Sequence, residues 1–123
     1  MSIGRAASPT GPRKGDIFVV DLPDVGGHVP AGRRPGVVVR ADRLSRSGTV
    51  VLCPITSSPP RDDLPRPHRV PITRLETGLD RDGWVKADQL LTLPAPRLDG
   101  PIGRLAPAAI ARLDDALRFV LDL

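Results

Sequence analysis

Tyrosine is absent from this 123-residue chain, and it holds two phenylalanines, one tryptophan, one cysteine, one methionine and two histidines. Each scarcity excludes something. Phe18, Trp84 and Phe119 are the whole aromatic complement and fall in expected core elements. The stacking platform on which RRM-type and OB-type domains seat bases is therefore missing. Trp84 is expected in the core or at an interface between copies. A lone Cys53 cannot close an intrachain disulfide, and with only His28 and His68 beside it no cluster of zinc-type spacing exists. Set between Leu52 and Pro54 in an apolar run, Cys53 reads as a buried structural thiol. No apolar run approaches membrane-spanning length and no signal-like hydrophobic stretch opens the chain. The expectation is a cytoplasmic protein with no membrane contact.

What is abundant is proline (15), glycine (12) and arginine: of 18 basic residues only Lys14 and Lys86 are lysine. Many breakers mean short elements and many turns rather than a helical bundle. The net charge is +4, unevenly spread: residues 1–75 carry 12 basic and 6 acidic groups, residues 76–123 carry 6 and 8. A basic first part favours an anionic partner on one face, although a merely solvated arginine-rich surface would show the same totals.

Residues 1–13 lack periodicity and read as a mobile lead-in to a single domain over 14–123. Strands are predicted at 15–22, 34–40 and 49–55 from β-branched, apolar runs. The intervening 23–32 is a long Pro/Gly loop, and 41–48 is polar with room for one helical turn. Four prolines keep 59–67 irregular. Residues 68–73 return as an edge strand because Pro71, following Pro65 and Pro67 at alternate positions just before it, cannot donate to a ladder. A fifth strand is predicted over 83–91, a Pro-rich connector over 93–99 and a last short strand over 102–105. Ile110, Leu113, Leu117, Val120 and Leu121 form one helical stripe, with Pro107 in the first turn and no side-chain oxygen at Ala106. The class is mainly β: a small, strongly bent sheet or barrel of five to seven strands with a C-terminal helix.

Two features carry chemistry. Arg33-Arg34-Pro35 opens the second strand, and Pro54-Ile55-Thr56-Ser57-Ser58 closes the third. In an antiparallel pair the start of one strand lies beside the end of the next, so Arg34 and Thr56 should be neighbours. An arginine fork beside a hydroxyl can hold a phosphate and stabilise charge on its oxygens. The plainer alternative is that Arg34 pairs with a carboxylate and Thr56 closes a turn through its own backbone. There is no Walker-type loop and no convincing Ser-His-Asp order.

These residues resemble the MazF/PemK (Kid) family of toxin endoribonucleases. The resemblance begins with Lys14-Gly15-Asp16-Ile17, Ala31-Gly32-Arg33-Arg34-Pro35 and Pro54-Ile55-Thr56-Ser57. It continues through Gly78-Leu79-Asp80-Arg81-Asp82-Gly83 and Asp88-Gln89-Leu90-Leu91-Thr92-Leu93, and ends with Ile102-Gly103-Arg104-Leu105-Ala106-Pro107 and the helix. It implies a CcdB/MazF-type SH3-like barrel, a homodimer, and a toxin opposed by a cognate antitoxin. The implied activity is metal-independent, cofactor-free, sequence-selective cleavage of single-stranded RNA (mRNA, and tRNA or rRNA). Attack of the 2′-hydroxyl would leave 2′,3′-cyclic phosphate and 5′-hydroxyl ends. The family's catalytic arginine and threonine fall on Arg34 and Thr56; Arg33, Ser57 and Gln89 are candidates for substrate contact at the same rim. Many relatives carry Gly-Ser-Glu-Gln in the loop before the arginine, where this chain has Gly27-His28-Val29-Pro30. His28 is then the one group there that titrates near neutrality, a candidate for proton transfer or base recognition. Two rivals share the fold: a CcdB-like toxin that binds gyrase without nuclease activity, and a non-catalytic SH3-like module that binds acidic peptides.

Overall fold

Successive residues of the first strand feed two different cores. In β1 (Asp16–Leu22), Ile17 joins one apolar cluster while Phe18, Val20 and Leu22 join another. In β2 (Gly32–Val38) and β3 (Thr49–Thr56), Val37, Cys53 and Ile55 go with Ile17, whereas Val38, Val50 and Leu52 go with Val20. Strand side chains alternate between faces, so burial on both faces explains why these strands are near-continuous apolar runs. The computed structural model describes residues 11–123 except 28, 30 and 63; most of the 1–13 segment, and His28, lie outside the described residues.

The remaining strands are β4 (Arg69–Ile72), β5 (Gly83–Lys86), β6 (Leu91–Pro94) and β7 (Asp99–Arg104), with helices α1 (Arg74–Thr77) and α2 (Pro107–Leu121). The strands form one antiparallel sheet in the order β4-β5-β3-β2-β1-β7, with β6 also on β3. The sheet is mainly β, seven-stranded and barrel-like, with one long C-terminal helix, as the sequence implies. Gly36 keeps it tight: a Cβ there would meet Leu52 Cδ1 at 2.8 Å.

α2 closes the first cluster by contributing Ala109, Leu113 and Ala116, with Leu105 just before it. Its first turn has Pro107 and, as the sequence predicts, no side-chain cap at Ala106. Arg112 covers the open edge of β4 by donating to the Pro71 carbonyl at 3.1 Å, which leaves fewer free edge groups for association. The stripe is narrower than its periodicity implies. Leu121 is half exposed and Phe119 is 62% exposed, so Phe119 is no core residue: it shares the face of Arg112 and Asp115, while Val120 beside it still packs on the cluster.

The predicted fifth strand over 83–91 is instead two strands. β5 pairs with β3 as Ile55–Val85 and Thr56–Trp84, whereas β6 pairs as Leu52–Leu91 and Val51–Thr92. Had the first register continued, residue 88 would oppose Leu52; three extra residues are therefore looped out between them. Composition does not reveal such a slip. Residues predicted as a connector, 93–99, hold the end of β6 and a 3-10 turn at Ala95–Arg97. α1 also escaped the sequence reading, although Thr73-x-x-Glu76 is a capping box: Thr73 Oγ1 accepts from the Glu76 N–H at 3.2 Å, and Glu76 Oε1 from the Thr73 N–H at 3.1 Å.

Candidate functional site

β2 and β3 pair as Gly36–Pro54, Val37–Cys53 and Val38–Leu52. Extended two residues, that register sets Arg34 level with Thr56 and on the same face. Both line a cavity of about 340 Å³ with Arg33, Ser57, Arg81 and Asp82. Pro35 restricts the backbone directly after Arg34, and Arg34 is exposed, its Nε donating to the Ala31 carbonyl at 3.2 Å. Among the described residues no carboxylate neutralises it.

Arg33 has the opposite character. Its guanidinium donates to Asp99 at 2.8 Å and lies 3.6 Å from Asp21, so it ties β2 across β1 to β7. The carboxylate partner weighed for Arg34 belongs to Arg33 instead.

Thr56 is buried at the end of β3, and its Oγ1 accepts the Ser58 N–H at 3.1 Å. That is the turn-closing bond expected of a strand-end threonine. A hydroxyl accepting one bond still has a proton to donate, so the local bond orients Thr56 without exhausting it. On its other side Thr56 pairs with Trp84, and Gly83 leaves room for its carbonyl: a Cβ on Gly83 would sit 2.5 Å from Thr56 O. Ser57 is exposed at the same rim.

Gln89 lies elsewhere. It sits in the looped-out stretch between β5 and β6 and lines two other hollows. One is a polar basin of about 510 Å³, the other an apolar hollow of about 270 Å³ that includes Leu22, Val25 and Val29. Sequence reasoning passed over Arg81, which lines the Arg34–Thr56 cavity and has no ion pair among the described residues. Its neighbour Asp82 accepts the Arg74 N–H at 2.8 Å and so closes the turn before β5. An arginine between two aspartates reads as internally neutralised; only the turn shows otherwise.

Burial disfavours the charged form of two other groups, Cys53 and Lys86. Burial, and secondarily Asp88, pushes the Cys53 thiol up to about 12, so it is an inert core group. Lys86 is held below its ordinary value by burial and then by Arg69, with Asp88 opposing and Arg34 adding to the depression.

The chain is a small, mainly β, barrel-like fold with a C-terminal helix, and at one rim stand a strand-end threonine and an arginine with no ion pair among the described residues. The family model for PemK-like, MazF-like toxins of type II toxin–antitoxin systems matches residues 13–121, and the chain belongs to that family. It is 35% identical over 117 residues to endoribonuclease MazF9 of Mycobacterium tuberculosis, covering 90% of this chain and 97% of that protein. It is also 30% identical to endoribonuclease MazF of Staphylococcus epidermidis, covering 90% and 92%. Among solved structures, a mycobacterial endoribonuclease in complex with its cognate antitoxin superposes with a TM-score of 0.75 at 25% identity, covering 92% of this chain and 97% of that one. MazF of Deinococcus radiodurans shares the fold with a TM-score of 0.74 at 22% identity, covering 92% and 98%. Among the described residues no helix is long and apolar enough to cross a membrane.

Proposed function

We infer that this chain is the toxin of a toxin–antitoxin pair and an endoribonuclease that cuts single-stranded RNA at selected sequences. The observation that carries the reading is the meeting, at one cavity, of an arginine that forms no ion pair among the described residues with a threonine whose hydroxyl accepts one bond and keeps its proton to donate. The substrate's 2′-oxygen attacks the adjacent phosphorus while the bond to the 5′-oxygen breaks. The products are a 2′,3′-cyclic phosphate and a 5′-hydroxyl. The 2′-hydroxyl proton leaves to a base and the departing 5′-oxygen gains one.

Arg34 stabilises the extra negative charge on the non-bridging oxygens as the phosphorane forms, and Thr56 donates to one of them. A guanidinium does not readily give up its proton, so electrostatic stabilisation is its principal task. Removing one such donor costs about 100- to 1000-fold in rate. Arg33, already engaged by Asp99 and Asp21, steers rather than reacts, and Ser57 contacts the strand at the rim. Arg81 adds positive charge opposite. His28 is the candidate base, and no metal or cofactor is called for.

The working form is a homodimer, and the cognate antitoxin competes for the basic face with an acidic segment. Relatives named endoribonuclease, and a structural neighbour described with its antitoxin, support this reading. The test is incubation of the purified protein with single-stranded RNA in EDTA, followed by end analysis. Discrete cuts with cyclic-phosphate ends, lost in Arg34→Ala and Thr56→Ala, are expected. Absence of cleavage together with gyrase inhibition would refute it.

A further inference from the structure

Beside the Arg34–Thr56 cavity lies the larger polar basin, separated from it by the Ser57–Ser58 turn: Ser57 lines the first and Ser58 the second. Its walls carry Arg61, Arg66, Arg69 and Lys86 against Asp62 and Asp88, an excess of positive charge. Two of the four cations are committed. Arg66 is held by Asp62 at 2.9 Å. Arg69 donates to the Ser58 carbonyl at 2.6 Å, with its guanidinium 5.6 Å above the Trp84 ring and its Nε buried without a partner. Trp84 is thus half-buried beneath an arginine, not free to stack on a base.

Lys86 is different. Among the described residues its ammonium makes no hydrogen bond or ion pair, although it is partly buried and feels Arg69 more strongly than the opposing Asp88. Holding an unpaired ammonium in that place is unfavourable unless an anion joins it. Arg34 is among the charges that Lys86 feels, so the basin and the reaction site share one field.

We propose that this basin holds the phosphate adjacent to the one being cut, with Lys86 as its direct ligand and Arg69 as the fixed wall that aims it. The proposal rests on the reading of Arg34 and Thr56 as the cleavage site and adds the path of the strand past it. A polynucleotide seated at Arg34 brings its next anion one nucleotide away whatever its bases, whereas a peptide must place a carboxylate there by sequence. The position of the two cavities on either side of the Ser57–Ser58 turn therefore favours RNA over an acidic peptide as occupant.

The test uses two unrelated 12-nucleotide 2′-O-methyl RNAs, which 2′-hydroxyl attack cannot cut, bound to the wild type, Lys86→Met and Lys14→Met. Lys14 pairs with Asp114 on α2 and controls for net charge. Lys86→Met should raise Kd about five- to tenfold for both strands alike and reduce the slope of log Kd against log salt by about 0.7, the signature of one lost phosphate contact. Lys14→Met should do neither. Circular dichroism melts confirm that both variants fold. Unchanged affinity and slope in Lys86→Met overturn the proposal. So does a loss confined to one sequence, which marks a base contact, or weakened binding of a 12-residue polyglutamate with RNA binding intact. The two readings fail separately. A wild type that cuts RNA while Lys86→Met binds normally removes the basin alone. A wild type that binds through Lys86 yet cuts no unmodified RNA removes the cleavage reading alone.

Discussion

Replacing Gly83 by alanine perturbs the site through geometry alone, because its backbone angles are open to any residue and only space forbids a side chain. The added Cβ would lie 2.5 Å from the Thr56 carbonyl oxygen, 3.4 Å from its carbon and 3.6 Å from Ile55 Cγ2. An ordinary C···O approach is about 3.3 Å, so β3 and β5 must part by about 0.8 Å at the residue that presents the hydroxyl. Both nearest atoms are backbone, and neither can swing aside as a side-chain tip would. Overpacking of this kind costs about 1–3 kcal/mol, or roughly 4–12 °C in Tm at about 4 °C per kcal/mol. A displacement approaching 1 Å in a positioned group costs about 100-fold in rate. The assay is initial-rate cleavage of a single-stranded RNA at 25 °C beside a thermal melt. Ala111→Gly, on the exposed face of α2, serves as the stability control at about 1 kcal/mol. Gly83→Ala should lose far more activity than Ala111→Gly at comparable Tm. Equal activities in the two variants would refute the view that the position of Thr56 limits the reaction.

Arg34→Ala and Arg34→Lys should each lose about 100- to 1000-fold in kcat, with stability within about 0.5 kcal/mol of wild type because the side chain is exposed and bonds only one carbonyl. Glu76 is held below its ordinary 4.5, chiefly by the hydrogen bond from Arg112 and then by the Thr73 N–H. Since the folded value is the lower one, its contribution is complete above pH 4.5 and is lost as the pH falls through the depressed value. The Tm gap between wild type and Glu76→Gln should therefore be constant near neutrality and close in acid. For Cys53 the folded value is raised from 9.0 to about 12, so the protonated thiol's contribution is full below pH 9 and falls between 9 and 12. A thiol reagent at pH 8 should label Cys53 only after denaturation, and labelling of the native protein would contradict its burial.

Much of the architecture was legible because local and global preferences agree. Runs such as 17–20, 37–39 and 50–53 are β-branched and apolar on both faces, which suits only strands buried twice over. Pro71 betrayed an edge strand by lacking an N–H. The apolar spacing from Ile110 to Val120 marked α2. The neighbourhood of Arg34 and Thr56 followed from antiparallel geometry plus proline punctuation. What escaped depends on register and on long-range partners. The three residues looped out between β5 and β6 set Gln89 in the neighbouring basin rather than in the Arg34–Thr56 cavity, and Phe119, off the buried face of α2, stays in solvent.

The amino-acid pattern was enough for the class of fold, the first three strands, the long helix and the level placing of Arg34 and Thr56. These rest on patterns within a few residues. Which of the two arginines is ion-paired among the described residues depends on the folded sheet, because Arg33 finds its carboxylate in Asp99, 66 positions away, and no local pattern distinguishes it from its neighbour. The same holds for Arg81, brought to the Arg34–Thr56 cavity, and for Lys86, set near Arg69 with no ion pair among the described residues. Ion pairing depends on separations of a few ångströms between distant segments, and those exist only once the sheet has bent.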